Sequence, residues 1–442
     1  MTLDAYSVPY FLQIELTYGC NSHCIFCYNP ARERHHPTEQ TWQLVHAVGE
    51  AQVPLVQLTG GEVSLLRYLN DFADYLAQYS KVSIVTNAIK RRELSESISK
   101  IFLSLHGDKV THERITANPG TYDLIINNIR YYIARGFAVS ADMLLCAANY
   151  DQMYELIRTA TELGMGEVFI NRFQGGGFGV EQMQGLMPSM IQFRQALDQI
   201  IAARNDFGCK VGFGTSIPLC IDERLITEGL ACNCEMGIKF ASIAPDGRLR
   251  LCNQALKSYG NILESPLEIL WQDKSVDEYR DMSWVTGVCS ECPLLERCGA
   301  GCRVDNSQSM DYCPDAFVRD LKRRPEVVEK IATRMDEHTP YQTVPISPDT
   351  SKRHLRTEDG LLILRKHPEK YLVRSNYSAL VVDDICADLC TASQGGFHDE
   401  KDLWWMARAH SLTDIDDALL GRYVDHLVAA NVLIERQNGN MV

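Results

Sequence analysis

Residues 11–27 read FLQIELTYGCNSHCIFC, an apolar run followed closely by three cysteines. The run at 11–17 has the composition of a buried strand in a parallel sheet. Cys20, Cys24 and Cys27 come next, separated by gaps of three and two residues. Because function in parallel α/β barrels gathers at the carboxyl ends of the strands, this stretch predicts a group of thiol ligands at such an end.

The same alternation of short apolar runs and helical patterns continues through the first two hundred residues. The further strand candidates are 55–59, 82–86, 101–105, 138–145 and 167–171, and helical patterns at 38–50, 121–135 and 151–163 lie between them. Six strands with crossover helices predict an α/β fold, a partial (β/α)6 barrel of the TIM type. The sequences CNSHCIFC, TGGE, TNA and SLHG follow the first four strands, so their polar residues are expected at one end of the barrel.

Length and composition indicate an ordinary globular protein with several domains. The chain has 442 residues, 45 % of them hydrophobic and 23 % charged, which suggests about three domains. Shifts in composition predict a barrel at 1–204, a cysteine-rich region with a trailing helix at 205–337, a linker at 338–354 and a small module at 355–442.

Charge and cysteine content limit the kinds of binding partner and the cellular compartment that are expected. The N-terminus has no signal-peptide pattern and no apolar run is long enough to span a bilayer, so a cytoplasmic location without a membrane partner is expected. Sixteen cysteines in such a chain are better explained as metal ligands than as disulfides. A formal charge of −14 disfavours a nucleic-acid partner.

The cysteine triplet has two interpretations, zinc or an iron–sulfur cluster. Structural zinc prefers four protein ligands, whereas iron–sulfur clusters are held by cysteine thiolates. Three thiolates would leave one iron of a [4Fe–4S] cluster open to a small molecule. With Phe26 before the last cysteine, the spacing C-x3-C-x-aromatic-C resembles the signature of the radical SAM family. In that family the open iron binds S-adenosylmethionine (SAM), and electron transfer releases a 5′-deoxyadenosyl radical.

Two further stretches strengthen this resemblance. LTGGEVSLL at 58–66 resembles the family's GGEP motif, which implies that Gly60, Gly61 and Glu62 contact the SAM amino group. The usual proline is Val63 here. VTNA at 85–88 resembles the family's TNG stretch and adds Asn87 as a cofactor contact.

The run SLHGDKVTHERITANPGTYD at 104–123 resembles the SLDG region of peptide-modifying members. By this match Ser104 binds the SAM ribose and Arg114 its carboxylate. The family's aspartate is His106 in this chain, which puts any role of that carboxylate in doubt.

The cysteine-rich region resembles the SPASM pattern, C-x9–15-G-x4-C followed by C-x2-C-x5-C-x3-C and a last cysteine. The matching residues are Cys234, Gly247, Cys252, Cys289, Cys292, Cys298, Cys302 and Cys313. SPASM domains carry two auxiliary [4Fe–4S] clusters. The resemblance assigns Cys234, Cys252 and Cys302 to cluster I, and Cys289, Cys292, Cys298 and Cys313 to cluster II.

Two details of this region bear on mechanism. Cys220 and Cys232 are both candidates for a fourth ligand of cluster I, and the sequence does not rank them. The sulfatase-activating SPASM enzymes have an aspartate base directly after the second SPASM cysteine. Here that position is Asn253, so formylglycine formation is disfavoured.

The C-terminal module has a hairpin pattern at 361–374 and helical patterns at 378–390, 399–409 and 414–430. This winged-helix-like pattern resembles the PqqD-like fold, also called the RiPP recognition element, which binds the leader of a precursor peptide as an added strand. A DNA-binding winged helix is the alternative. Residues 351–442 hold 11 Lys and Arg against 14 Asp and Glu, a net charge of −3, which favours a peptide over DNA.

Together these resemblances imply a radical SAM/SPASM peptide maturase. The expected activity is abstraction of an unactivated hydrogen from a ribosomally made precursor peptide, which leads to a cross-link or an oxidised residue. An electron donor such as flavodoxin or ferredoxin is expected as a further partner. The alternatives are a radical SAM/SPASM dehydrogenase of a small molecule and an iron–sulfur redox sensor that binds DNA.

Overall fold

The computed structural model describes residues 8–29, 31–34, 36–176, 183–232, 234–280, 282, 285, 289–304, 315 and 317, and six short strands near the C-terminus. The chain divides into two compact units, Met1–Thr339 and Pro340–Val442. No helix in the described ranges has the length and apolar character that a bilayer-spanning segment needs.

The described part of the first unit contains one nine-stranded sheet in the order β7-β6-β5-β4-β3-β2-β1-β8-β9. Strands β1 to β7 are parallel to their neighbours, β8 is parallel to β1, and β9 is antiparallel to β8. The strands are β1 (Phe11–Thr17), β2 (Leu55–Gly60), β3 (Lys81–Thr86), β4 (Ile98–Ser104), β5 (Val139–Leu145), β6 (Glu167–Arg172), β7 (Lys210–Phe213), β8 (Phe240–Ile243) and β9 (Leu249–Arg250).

Sequential pairing of parallel strands is the topology of a barrel wall, because right-handed crossovers then place every helix on the same side. The helices are α1 (Thr38–Glu50), α2 (Leu69–Leu76), α3 (Lys109–Thr116), α4 (Tyr122–Ala134), α5 (Met153–Glu162), α6 (Met183–Leu186), α7 (Met190–Phe207), α8 (Arg224–Thr227), α9 (Leu267–Trp271), α10 (Asp277–Arg280) and α11 (Leu295–Cys298). The predicted partial barrel, its six strands and the helices near 38–50, 121–135 and 151–163 are confirmed.

Strand alternation separates two faces of the sheet. In β1, Leu12, Ile14 and Leu16 are fully buried in the core that also holds the apolar sides of the helices. Gln13 and Glu15 point the other way, onto what we call the inner face. Equivalent positions on the neighbouring strands make the inner face polar, and they include Gln57, Thr59, Ser104, Asp142 and Asn171.

The sheet extends beyond the six predicted strands. β7, β8 and β9 come from the region after residue 204, and β8 covers the edge of β1 that β2 leaves free. An edge strand exposes unpaired backbone groups, so β8 completes the hydrogen bonding of β1. The domain limits at 204 and 337 stay a prediction.

In the second unit the described strands are β10 (His354–Thr357), β11 (Leu362–His367), β12 (Lys370–Arg374), β13 (Ala379–Val382), β14 (His398–Asp399) and β15 (Leu433–Glu435). They form two antiparallel sheets, ordered β14-β10-β15 and β11-β12-β13.

The predicted hairpin at 361–374 is confirmed by the pairing of β11 with β12. The helix predicted at 378–390 is wrong at its start, because β13 pairs with β12. The free edge of β12 supplies partners for the backbone there, and the adjacent β-branched Val381 and Val382 suit a strand. His398–Asp399 is a strand at the start of the helix predicted at 399–409, and Leu433–Glu435 is a strand beyond the end of the helix predicted at 414–430. The other residues of these two helices, and the trailing helix predicted at about 316–336 apart from Phe317, lie outside the described residues.

Candidate active site and metal centres

The three cysteines lie in the loop after β1, which we call the cluster loop (residues 18–29). The Cys20 N–H donates to the carbonyl of Arg32 at 2.8 Å, and the Arg32 guanidinium donates to the carbonyl of Cys24 at 2.6 Å. From the other side, Ile25 N–H donates to the carbonyl of Ile115 at 3.0 Å. The bonds with Arg32 stabilise the loop, and the bond to Ile115 holds it against the end of α3.

The three thiols of this loop are partly buried. Burial, with the neighbouring thiols adding to it, raises the pKa of Cys20 to about 11 and that of Cys24 to about 12. The Asn29 N–H lies 3.4 Å from Cys27 Sγ, a backbone donor of the kind that surrounds cluster sulfurs. No three His, Cys, Asp or Glu side chains among the described residues converge as ligands of a single ion would. The donor set fits a three-thiolate iron–sulfur cluster.

Two glycines allow the end of β2 to lie directly against the cluster loop. Gly60 has φ +130°, and a Cβ there would lie 2.3 Å from the Thr17 carbonyl oxygen. A Cβ on Gly61 would lie 2.1 Å from the carbonyl oxygen of Gly19. Both glycines are therefore required by backbone packing, whether or not they also contact SAM.

Glu62 is buried and already holds several partners. Its carboxylate accepts from the N–H of Ser64 at 2.9 Å, from Thr86 Oγ1 at 2.5 Å and from the N–H of Asn87 at 2.7 Å. The Glu62 N–H donates to the carbonyl of Gly19 at 2.9 Å. The side chain of Glu62 thus joins the ends of β2 and β3, and its backbone N–H bonds the cluster loop.

Asn87 lies beside the first cysteine of the triplet. Its amide Nδ2 donates to Asn21 Oδ1 at 2.8 Å and to Ser22 Oγ at 3.2 Å, and it lies 4.0 Å from Cys20 Sγ. The structure therefore brings Asn87 and Glu62 together at the cluster loop, as the sequence predicted.

The last two predicted SAM contacts lie further along the barrel. Ser104 ends β4 and is in register with Asp142 of β5, on the inner face. Arg114 is exposed, and its guanidinium donates to the carbonyl of Ala148 at 3.2 Å. Their roles toward SAM stay a prediction.

His106, at the position of the family aspartate, packs against Phe26 of the cluster loop. Its ring meets the ring of Phe26 edge-on at 5.1 Å and stacks on His112 at 5.5 Å. Nδ1 of His106 accepts from the N–H of Leu144 at 3.1 Å. Burial, with His112 adding to it, keeps the pKa of His106 well below its usual value, so the ring is neutral. In the sequence, the histidine in place of the aspartate of SLDG was the feature that indicated a different role at this position.

Asp142 is a site residue that sequence reasoning missed. Its carboxylate accepts from Asn171 Nδ2 at 2.6 Å, and burial raises its pKa to about 6. The only signal was a single charged residue inside the apolar run AVSADMLL. Asp142 gives the inner face a carboxylate beside the predicted SAM contact Ser104.

The SPASM cysteines of the described chain form two groups. Cys302 is part of the main core, and Cys232, Cys234 and Cys252 pack against the same core. Burial and the neighbouring Cys234 raise the pKa of Cys252 to about 12 and that of Cys232 to about 11. Cys232 and Cys252 are thus both neighbours of Cys234, a predicted ligand of cluster I.

The second group contains Cys220 together with Cys289, Cys292 and Cys298. The N–H of Leu219 donates to Cys298 Sγ at 3.3 Å, and Leu219 packs with Cys292 and Cys298 in one apolar cluster. Burial, with these three cysteines adding to it, raises the pKa of Cys220 to about 12. Cys220 therefore lies beside the predicted cluster II ligands. Cys313, the fourth predicted ligand, lies outside the described residues.

Family models match both parts of the first unit. The radical SAM superfamily model matches residues 14–160, and the SPASM model, an iron–sulfur cluster-binding domain, matches residues 232–293. These two matches lie in the barrel and in the cysteine-rich region, respectively. The matched domains indicate SAM bound at a [4Fe–4S] cluster, together with auxiliary clusters.

Two curated relatives are similar to this chain over most of their length. The PqqA peptide cyclase of Gluconobacter oxydans is 25 % identical over 324 residues, 69 % of this chain and 87 % of the relative. That of Streptomyces rochei is 23 % identical over 336 residues, 72 % and 90 %.

Two solved structures share the fold. Streptococcus suis SuiB bound to its precursor peptide SuiA matches with a TM-score of 0.57 and 18 % identity over 72 % of this chain and 77 % of SuiB. The structure of anSMEcpe with AdoMet and the Cp18Cys peptide matches with a TM-score of 0.55 and 14 % identity over 74 % and 96 %.

Proposed function

We propose that this radical SAM/SPASM protein modifies a ribosomally made precursor peptide by abstracting an unactivated hydrogen. The observation that carries the proposal is the cluster loop itself. Three thiols lie at the carboxyl end of β1, and Glu62 and Asn87, from the next two strand ends, are bonded to the same loop. The similarity to PqqA peptide cyclases supports a peptide as the substrate.

Different side chains contact the cofactor and the substrate. When bound, the cluster and SAM supply a 5′-deoxyadenosyl radical. Cys20, Cys24 and Cys27 would hold that cluster, and Ser104 and Arg114 join the Glu62 region as proposed SAM contacts. The inner face holds the peptide segment next to the radical and keeps water out, which is how a barrel raises the rate of such a step.

The second unit is the proposed leader-binding element of the PqqD-like type. Its β11-β12-β13 sheet is antiparallel, and a peptide can extend such a sheet by pairing with an edge strand. A flavodoxin or ferredoxin is the proposed electron donor.

The test of substrate class uses the full chain, reconstituted with iron and sulfide and reduced without oxygen. Synthetic candidate precursors, encoded next to this gene, are added with SAM, and products are followed by mass spectrometry. We expect a mass change on the core segment that is lost when the leader is removed. Cleavage of SAM with turnover of a small alcohol, but of no peptide, would contradict the proposal and favour a dehydrogenase.

The grouping of cysteines leads to a proposal for the auxiliary ligands. We assign Cys232 as the fourth ligand of cluster I. Cys220 is assigned to cluster II with Cys289, Cys292 and Cys298, where it competes with Cys313 for the fourth position. Four thiolates complete the ligand set of a [4Fe–4S] cluster.

These ligands can be separated spectroscopically in a background without the SAM-cluster cysteines. We expect Cys220→Ala to change only the cluster II signal in electron paramagnetic resonance (EPR) spectra, and Cys232→Ala only that of cluster I. Cys209→Ala, at the residue before β7 of the barrel, serves as the matched control. If Cys220→Ala leaves both signals and the iron content unchanged while Cys313→Ala removes cluster II, the assignment of Cys220 is wrong.

A further inference from the structure

A buried polar network joins the cluster loop to the SPASM region. Glu15 of β1 is 1 % exposed, and its carboxylate forms an ion pair with Arg250 of β9, which is 6 % exposed. The same carboxylate accepts from the Tyr28 hydroxyl at 2.9 Å. Tyr28 directly follows Cys27 of the cluster loop. The Tyr28 hydroxyl and the Arg250 guanidinium, which are distant in sequence, therefore both bond the Glu15 carboxylate.

The network continues from Tyr28 to an auxiliary-cluster cysteine. Asn253 Nδ2 donates to the Tyr28 hydroxyl oxygen at 3.0 Å, and Asn253 Oδ1 lies 3.4 Å from Cys252 Sγ. The Arg250 guanidinium donates to the main-chain carbonyl of Asn253 at 2.9 Å and fixes this residue. A path of one covalent neighbour and one hydrogen bond thus links Cys27 to Asn253, the residue next to Cys252.

The hydrogen bonds of the Tyr28 hydroxyl require a donor at residue 253, which an asparagine provides. The Tyr28 hydroxyl has one hydrogen, which it donates to Glu15, so its remaining partner must be a donor. The Asn253 amide supplies an N–H. An aspartate at this position would offer only lone pairs, beside the carboxylate of Glu15. The position that is a base in sulfatase-activating enzymes is thus occupied here by a hydrogen-bond donor.

We propose that Tyr28 and Asn253 are positioning residues that lock the loop of auxiliary cluster I onto the SAM-cluster loop and set the reduction potentials of both clusters. The inference rests on the proposed ligands Cys27 and Cys252. Hydrogen bonds and net charge around the sulfurs determine cluster potentials, and such outer partners orient the ligands themselves.

The test compares Tyr28→Phe, which removes only the hydroxyl, with Asn253→Leu, which removes the amide donor without adding a charge. Tyr154→Phe, whose hydroxyl bonds the exposed Asp206, is the matched control. Potentials are measured by redox titration followed by EPR spectroscopy, and cluster spacing by spin relaxation. Each variant removes a hydrogen-bond donor from the network around the Glu15 carboxylate, so its negative charge is less stabilised and we expect the potentials of the SAM cluster and auxiliary cluster I to fall. Auxiliary cluster II and the control should not change.

The two outcomes separate this inference from the proposed function. If iron content is complete and no potential or cluster spacing changes in either variant, the network has no positioning role. If the unsubstituted protein assembles no SAM cluster, the proposed function fails instead. Should Tyr28→Phe fail to fold, Asn253→Leu alone still decides, because it keeps a side chain of similar size and the ion pair between Glu15 and Arg250.

Discussion

Replacing Cys24 with alanine is expected to abolish SAM cleavage and to remove about four of about twelve irons per chain, one cluster of three. Cys24 is the middle cysteine of the triplet and a proposed cluster ligand, and its main-chain carbonyl also accepts from Arg32. Two remaining thiolates cannot hold a four-iron cluster that already leaves one iron to SAM. The measurement is 5′-deoxyadenosine release by the reduced protein, together with iron content.

The matched control for this loss is Cys146→Ala. Cys146 is a buried cysteine of the small core cluster against which Phe26 packs, so it tests whether removal of any nearby thiol has the same effect. Iron content and SAM cleavage should both remain. Equal cleavage by the Cys24 and Cys146 variants would show that the triplet does not hold the reactive cluster.

The second large effect is expected at the buried ion pair between Arg172 and Asp315. Both side chains are 0 % exposed, and they are 2.5 Å apart. Arg172 comes from the end of β6 and also lies over the ring of Phe317 at 4.4 Å. Asp315 accepts from the N–H of Cys302 at 3.1 Å. The pair therefore fastens the segment around a proposed cluster I ligand to the barrel.

Asp315→Ala should lower the free energy of unfolding by about 3–5 kcal/mol, because it leaves the Arg172 charge buried without its carboxylate. Anaerobic urea denaturation measures this change. The exposed pair of Glu155 and Arg158 on α5 is the control, and Glu155→Ala should cost under about 1 kcal/mol. A similar small cost at Asp315 would mean that water or another group replaces the lost partner.

Much of the barrel could be predicted from the sequence because its signals are local. Each of the six predicted strands has buried apolar residues, and the ends of the first four carry short motifs in the order of the chain. The spacing of Cys20, Cys24 and Cys27 is set within eight residues. Cysteines this close, in one loop, can reach the same group wherever the loop lies.

Other features depended on contacts that no local pattern encodes. Cys220 and Cys232 are equivalent as sequence candidates, yet the turn of Leu219 packs against Cys298, which draws Cys220 toward the opposite group. β13 is a strand because β12 offers a free edge, although its residues continue into a helical pattern. In the first case the partner is remote, since Leu219 and Cys298 are 79 residues apart. In the second case the partner is the preceding strand, whose free edge the pattern of residues 378–390 does not show.

The sequence by itself therefore determined the barrel, the cysteine triplet and the SPASM spacing, since these follow from periodicity and from ligands close together in the chain. Only the tertiary structure decided that β8 pairs with β1, that Cys220 and Cys232 separate, and that Glu15, Tyr28, Arg250 and Asn253 form one network. Glu15 and Arg250 are 235 residues apart. A buried charge is stable only with a partner, and the partner's identity is fixed by which strands the sheet brings together.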